Sequence, residues 1–89
     1  MREIKVSSQY RKDLKKYRNQ SQKLAKLQVI LKMLASDESL PQKYRPHYLK
    51  GKYKGCMECH IEGDFHLIWW DEDKNTIELL RLGSHSELF

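Results

Sequence analysis

No stretch of about 18 apolar residues occurs anywhere in this 89-residue chain, so none of its helices is expected to cross a membrane. The amino end, Met1-Arg2-Glu3-Ile4-Lys5-Val6, lacks both the apolar core and the small-residue cleavage site of a signal peptide. The cytoplasm is therefore the expected compartment, and the only two cysteines, Cys56 and Cys59, are expected as reduced thiols. Repeats, low-complexity tracts and linkers are missing as well. A chain this short buries a modest share of its surface. Residues 1–89 are accordingly expected to form one domain around one core, with function on the surface or in a shallow cleft.

Acidic residues are scarce where basic ones are dense. Residues 1–36 hold ten Lys and Arg against two acids, residues 43–54 hold five against none, and residues 55–89 hold two against eight. Two basic regions thus precede an acidic tail, within a net charge of +5. Such a balance attracts polyanions through counterion release, which points to nucleic acid, and it also suits an acidic protein partner. For the first region a solvated helix face accounts for the charge equally well, because Lys and Arg alternate there with apolar residues at helical spacing.

Hydrophobic spacing gives the element order. Met1 to Ser7 alternates as a short strand, with Ile4 and Val6 on one side. Ser7 or Ser8 can cap a first helix through Tyr10, Leu14 and Tyr17, and Ser21 a second through Leu24, Leu27, Ile30, Leu31 and Leu34. The short Asn19-Gln20 break makes them an antiparallel pair. Pro41 and Pro46 keep Gln42 to Gly51 extended or looped. Three strands follow, Lys52 to Ile61, Asp64 to Trp70 and Thr76 to Leu82, joined by Glu62-Gly63 and by residues 71–75; connections this short demand antiparallel neighbours. The expected class is α+β in the order β-α-α-β-β-β, an antiparallel sheet packed on an amino-terminal helix pair. Pattern alone does not assign the sheet faces, since Phe65 to Trp70 is apolar at positions of both parities.

Histidine is absent from the first 46 residues. His47, His60, Asp64 and His85 all lie in the second half, beside the dense basic loop. Imidazole is the side chain whose ordinary pKa, about 6.5, sits near neutrality, so this grouping suggests acid/base chemistry on a phosphate-bearing substrate. Each of these residues taken singly is also compatible with an ordinary surface or half-buried role. The loop Lys43-Tyr44-Arg45-Pro46-His47-Tyr48-Leu49-Lys50-Gly51-Lys52-Tyr53-Lys54 interleaves cations with rings, the composition that grips a single strand through phosphates and stacked bases. A solvated loop is the alternative. Cys56-Met57-Glu58-Cys59-His60 matches the C-x-x-C-H of covalent haem attachment, but that chemistry needs export, and the motif lies within an alternating strand. His60, Asp64 and His66, with His47 or His85, invite a metal reading, yet no second short-spaced pair accompanies them; no metal and no cofactor is expected.

Three motifs together are similar to those of a known family: His47-Tyr48-Leu49-Lys50-Gly51, then Glu58-Cys59-His60-Ile61-Glu62-Gly63-Asp64, then Arg81-Leu82-Gly83-Ser84-His85-Ser86-Glu87-Leu88-Phe89. They resemble the YafQ branch of the RelE/ParE toxin superfamily, closely over residues 47–89 and through element order and charge alone over residues 1–46. The resemblance implies a RelE-like fold and a ribosome-dependent endoribonuclease that cuts messenger RNA and is silenced by a small acidic antitoxin. It also implies a functional set of His47, His60, Asp64, His85 and Phe89, with Arg81 as a phosphate-binding residue. Lys50, Lys52 and Lys54 of the basic loop are expected to join Arg81 and Phe89 on the substrate.

The sequence departs from that family's usual pattern at Met57, where Arg is common, at Gly63, where Pro is common, and at Phe65, where Trp is common. Loss of the Arg is expected to remove a cation from the scissile phosphate. The implied chemistry is metal-free attack by the RNA 2′-hydroxyl, with His85 and one of His60 or Asp64 sharing the acid and base roles. His47 and Arg81 are expected to hold phosphate or orient the others, while Phe89 stacks on a base. The alternatives are a ParE-like toxin without nuclease chemistry and a simple RNA-binding module.

Overall fold

The fold is taken from a computed structural model that describes residues 1–73 and 75–89. Its first strand, β1 (Glu3–Val6), leads into α1 (Ser8–Lys16) and α2 (Ser21–Ala35). A short strand β2 (His47–Tyr48) then lies between 3₁₀ turns at Gln42–Tyr44 and Gly51–Tyr53. Three longer strands follow, β3 (Met57–Glu62), β4 (Phe65–Asp71) and β5 (Thr76–Gly83), and the chain ends in α3 (His85–Leu88). The strands make one sheet in the order β1-β5-β4-β3-β2.

The α+β class and the helix pair agree with the reading of the sequence; β2, in a segment expected extended or looped, and α3 are additions to the expected order, and the expected elements themselves differ in three ways. First, β1 pairs with β5 in parallel, Ile4 opposite Ile77 and Val6 opposite Leu79. Short connections constrain only β3, β4 and β5; β1 is separated from β5 by the helix pair and is free to run the other way. Second, the strand expected from Lys52 begins only at Met57. Gly51 and Gly55, at φ +72° and +89°, turn the chain twice before it, a conformation that residues with a Cβ avoid. Third, α2 starts at Ser21 instead of being capped by it, and Gln20 at the boundary offers no side-chain hydrogen bond. Ser7 does cap α1, accepting from the Tyr10 amide at 2.9 Å, as Ser at that position should. Of the connection expected at residues 71–75, Lys74 lies outside the described residues.

The core explains why both parities of β4 are apolar. Tyr10, Leu27, Ile30 and Leu34 from the helices meet Cys59, Ile61, Phe65, Leu67, Trp69, Ile77, Leu79 and Leu82 from the sheet. Burial of each such aliphatic side chain contributes roughly 1.5–3 kcal/mol, which outweighs the weak propensities of the individual elements. Side chains alternate along a strand, so Glu58, His60, His66 and Ile68 project from the opposite face. Ile68 is fully buried there as well.

Candidate active site

Three adjacent strands deliver the cluster on this second face. His47 on β2 stands opposite Glu58 on β3, and His60 on β3 stands opposite His66 on β4. His85 arrives from the turn after β5, at the start of α3. A capping box holds that start: the Ser84 hydroxyl accepts from the Glu87 amide, and the Glu87 carboxylate accepts from the Ser84 amide at 2.8 Å. Tyr17, the residue that ends α1, donates its hydroxyl to the same carboxylate, tying α3 to the helix pair.

The rings form a continuous row. Centroids are 6.2 Å apart from His47 to His60, 4.3 Å from His60 to His66, 6.3 Å from His66 to His85 and 4.9 Å from His85 to Phe89. Tyr53 closes the row by meeting Phe89 edge-on at 5.7 Å. Two carboxylates stitch it together. Asp64 Oδ1 lies 2.9 Å from His66 Nε2 and accepts the His85 backbone N–H at 2.8 Å. Glu58 Oε1 lies 2.9 Å from His47 Nε2, and Glu58 Oε2 lies 3.6 Å from His66 Nδ1. His47 Nδ1 lies 2.7 Å from the Arg45 carbonyl, which can only accept, so Nδ1 is the donor in that contact. Arg45 presents the carbonyl from a left-handed conformation, φ 49°, which a non-glycine residue adopts at some cost.

The electrostatics divide the groups. Partial burial pushes His60 below the usual 6.5, His66, Arg45 and His47 push it further the same way, and Glu58 opposes them. His60 is thus neutral around pH 7. The His85 amide, followed by the His66 ring, holds the Asp64 carboxyl below its ordinary 3.8, so Asp64 is an anion at neutral pH. Beside His60 opens a cavity of about 670 Å³, rimmed by Lys26, Lys43 and Arg45, of which Lys26 is engaged by Glu62 at 3.3 Å.

All four residues expected to be catalytic, His47, His60, Asp64 and His85, are brought together, and Phe89 joins them. The groups between them, Glu58 and His66, had no assigned role in the reaction from sequence. The available signal was the alternation of Glu58, His60 and His66 on neighbouring strands, which becomes readable only once the register is known. Among the basic residues the outcome is divided. Lys50, Lys52 and Lys54 are exposed around the 3₁₀ turn that carries Tyr53, with the Lys52 ammonium 5.3 Å from that ring. Arg81 is engaged within the protein: Nε donates to Asp13 at 2.8 Å, Nη1 to the Tyr53 hydroxyl at 3.1 Å and Nη2 to the Glu87 carbonyl at 3.4 Å. Met57 points to the helix side, packed on the core cluster opposite Trp69. A cation at position 57 would therefore face away from the row of rings, so the expected loss of a phosphate contact there does not follow.

Glu58, His60 and His66 each offer one donor atom within 4.8 Å of the others, close enough to share a metal ion. The two cysteines are free, and burial pushes the Cys59 thiol up to about 12, the nearby Glu58 adding to the effect, so it is inert near neutrality. No helix among the described residues is long and apolar enough to cross a membrane.

Similar proteins carry the same architecture. Residues 2–89 match the family described as bacterial toxin of type II toxin-antitoxin system, YafQ. The mRNA interferase toxin YafQ of Escherichia coli strain K12 is 35% identical over 89 residues, spanning 99% of this chain and 96% of that protein. A metal-bound toxin from Helicobacter pylori shares the fold with a TM-score of 0.89 and 40% identity over the whole of both chains. A chain of the E. coli DinJ-YafQ complex does so with a TM-score of 0.87 and 30% identity, over 100% of this chain and 99% of that one.

Proposed function

This chain belongs to the YafQ family of toxins from bacterial type II toxin–antitoxin systems, and from that premise we propose that it is an mRNA interferase, a ribosome-dependent endoribonuclease. Its substrate is messenger RNA on the ribosome and its compartment the cytoplasm, where that substrate is. The observation that carries the reading is the row of His47, His60, His66, His85 and Phe89 rings, with Asp64 bridging its middle and its end.

Cleavage runs through the RNA's own 2′-hydroxyl. His60, neutral at pH 7, removes the 2′ proton as the oxygen attacks the adjacent phosphorus in line. The bond from phosphorus to the 5′-oxygen breaks, and His85 supplies the proton that the leaving oxygen takes. The products are a 2′,3′-cyclic phosphate and a 5′-hydroxyl. Asp64, an anion, is the orienting group and not the acid. His47 sits at the outer end of the row, and Lys43 and Arg45 line the cavity beside His60, where cations stabilise the charge that develops on phosphorus. Phe89, half exposed at the other end, offers a face for a base, with Lys52 and Lys54 nearby for the backbone. This chemistry calls on no metal.

The antitoxin is proposed to be a small acidic protein, as electrostatic complementarity to the basic loop and helix pair requires. Primer extension on messages from expressing cells tests the nuclease reading. Discrete cuts are expected, with His60→Ala and His85→Ala each lowering the rate by roughly 10² to 10⁴. Cleavage and growth arrest that survive His85→Ala overturn the assignment. A toxin that halts replication while messages stay intact belongs to the ParE-like alternative without nuclease chemistry, and one that binds RNA without cutting it is a binding module.

A further inference from the structure

Two polar atoms on the second face of the sheet are buried without a hydrogen-bond partner, His66 Nδ1 and Glu58 Oε2. Both side chains are about 95% buried, and the two atoms face each other at 3.6 Å, just beyond hydrogen-bond length. Buried polar groups left unpaired are costly, so a matched donor and acceptor poised this close mark a contact that forms on a small approach. The other end of each side chain is already engaged. His66 Nε2 meets Asp64 Oδ1 at 2.9 Å, and Glu58 Oε1 meets His47 Nε2 at 2.9 Å. We infer that His66 is a positioning residue for the cleavage reaction, a buried ring that clamps Asp64 on one side and, through Glu58, braces His47 on the other.

Hydrogen-bond inventory supports the arrangement. Both nitrogens of His66 face carboxylate oxygens, Nε2 that of Asp64 at 2.9 Å and Nδ1 that of Glu58 at 3.6 Å, and the ring stands 4.3 Å from the His60 ring. Asp64 is otherwise an exposed side chain on a turn, with nothing but the His85 amide to hold it among the described residues. Its second contact, the one to a buried and rigid strand, is His66. The clamp therefore fixes the start of α3, and with it the distance from His85 to His60 across which the scissile phosphate must fit. A misplacement of about 1 Å in such a constellation can cost on the order of 10² in rate.

The inference rests on the nuclease reading, and its test separates the two. His66→Leu keeps the volume and removes both contacts; His66→Gln keeps a donor at the position of Nε2. Single-turnover cleavage on programmed ribosomes is expected to fall about 10²-fold in His66→Leu, with half-saturating ribosome concentration within twofold of wild type, and to recover at least tenfold of that loss in His66→Gln. Hydrogen exchange of the His85 amide, followed by NMR on the free protein, should speed up in His66→Leu and return toward wild type in His66→Gln. Wild-type cleavage by a folded His66→Leu protein overturns the inference, as does a His66→Gln protein that falls as far as His66→Leu in both readouts. If the wild-type protein cuts no message while the exchange pattern holds, the clamp stands and the nuclease reading fails.

Discussion

Asp13 on α1 and Arg81 on β5 form an ion pair, with Nε 2.8 Å from Oδ2 and the carboxylate almost wholly buried. The same Asp13 oxygen accepts the Leu82 amide at 3.0 Å, so one carboxylate joins the helix pair to both the side chain and the backbone of the last strand. This placement makes Arg81 a structural residue. Arg81→Met leaves a buried anion unpaired and should destabilise the protein by about 3–5 kcal/mol in urea unfolding. A phosphate-binding Arg81 predicts the opposite pattern, weaker substrate binding with unchanged stability.

The same pair sets the acid limit of the fold. Burial alone would raise the Asp13 carboxyl; hydrogen bonds from Arg81, Leu82 and Gln9 outweigh it and leave the group below its ordinary 3.8. A depressed folded-state value means that the contribution is fully present above 3.8 and is lost as pH falls through the lower, folded-state value. Thermal melts from about pH 5 down to about pH 2 should show stability falling across the lower part of that range. Asp13→Asn should flatten the fall, at lower stability near neutrality.

His60 gives the corresponding limit for activity. Its value is held below 6.5, first by burial and then by His66, Arg45 and His47, so its neutral form persists to lower pH than an ordinary imidazole's. If His60 is the base, the acid limb of single-turnover cleavage has its midpoint below 6.5. Arg45→Gln removes one of the opposing cations and should move that midpoint upward while slowing the reaction. A midpoint unmoved by Arg45→Gln, or one above 6.5 in the wild type, argues against His60 as the base.

Glu58, His60 and His66 are also spaced for a metal ion, and the two routes differ in one measurement. Cleavage through the 2′-hydroxyl should be unchanged by a chelator that strips transition metals but spares the magnesium the ribosome needs. Activity lost to the chelator and restored by a single divalent ion would replace the metal-free route.

How much of this was legible in the sequence depends on how local each signal is. The helix pair and the antiparallel β3 to β5 follow from spacing and short connections, and the structure has them. The parallel pairing of β1 with β5 was not legible, because it joins segments some 70 residues apart and leaves no local mark. The site divides in the same way. His47, His60, Asp64 and His85 stand out as residue types, but His66 and Glu58 acquire meaning only from register, which sets His60 opposite His66 and His47 opposite Glu58. Met57 is the converse case. It precedes Glu58 of the site, yet strand alternation turns it to the core, so the expectation drawn from the family's usual Arg at this position misplaced it.

The short α3 carries His85, and four residues of helix do not hold themselves together. What holds them is Glu87, which accepts the Ser84 amide first and the Tyr17 hydroxyl second, contacts that leave its carboxyl below the ordinary 4.5. Gly83 completes the corner. It sits at φ +154°, and a Cβ there would come within 2.7 Å of Glu87 Oε1. Ser84→Ala removes a cap worth about 1 kcal/mol, and Gly83→Ala displaces the Glu87 side chain. Both should loosen α3 more than the core, because the cap and the corner lie outside the cluster that α1 and α2 bury. Cleavage should therefore fall well before the melting temperature does, and Glu87→Gln, which keeps an acceptor for Ser84 and Tyr17, should retain more activity than Glu87→Ala. Equal losses in the two Glu87 variants would mean that the carboxylate's charge matters more than its hydrogen bonds.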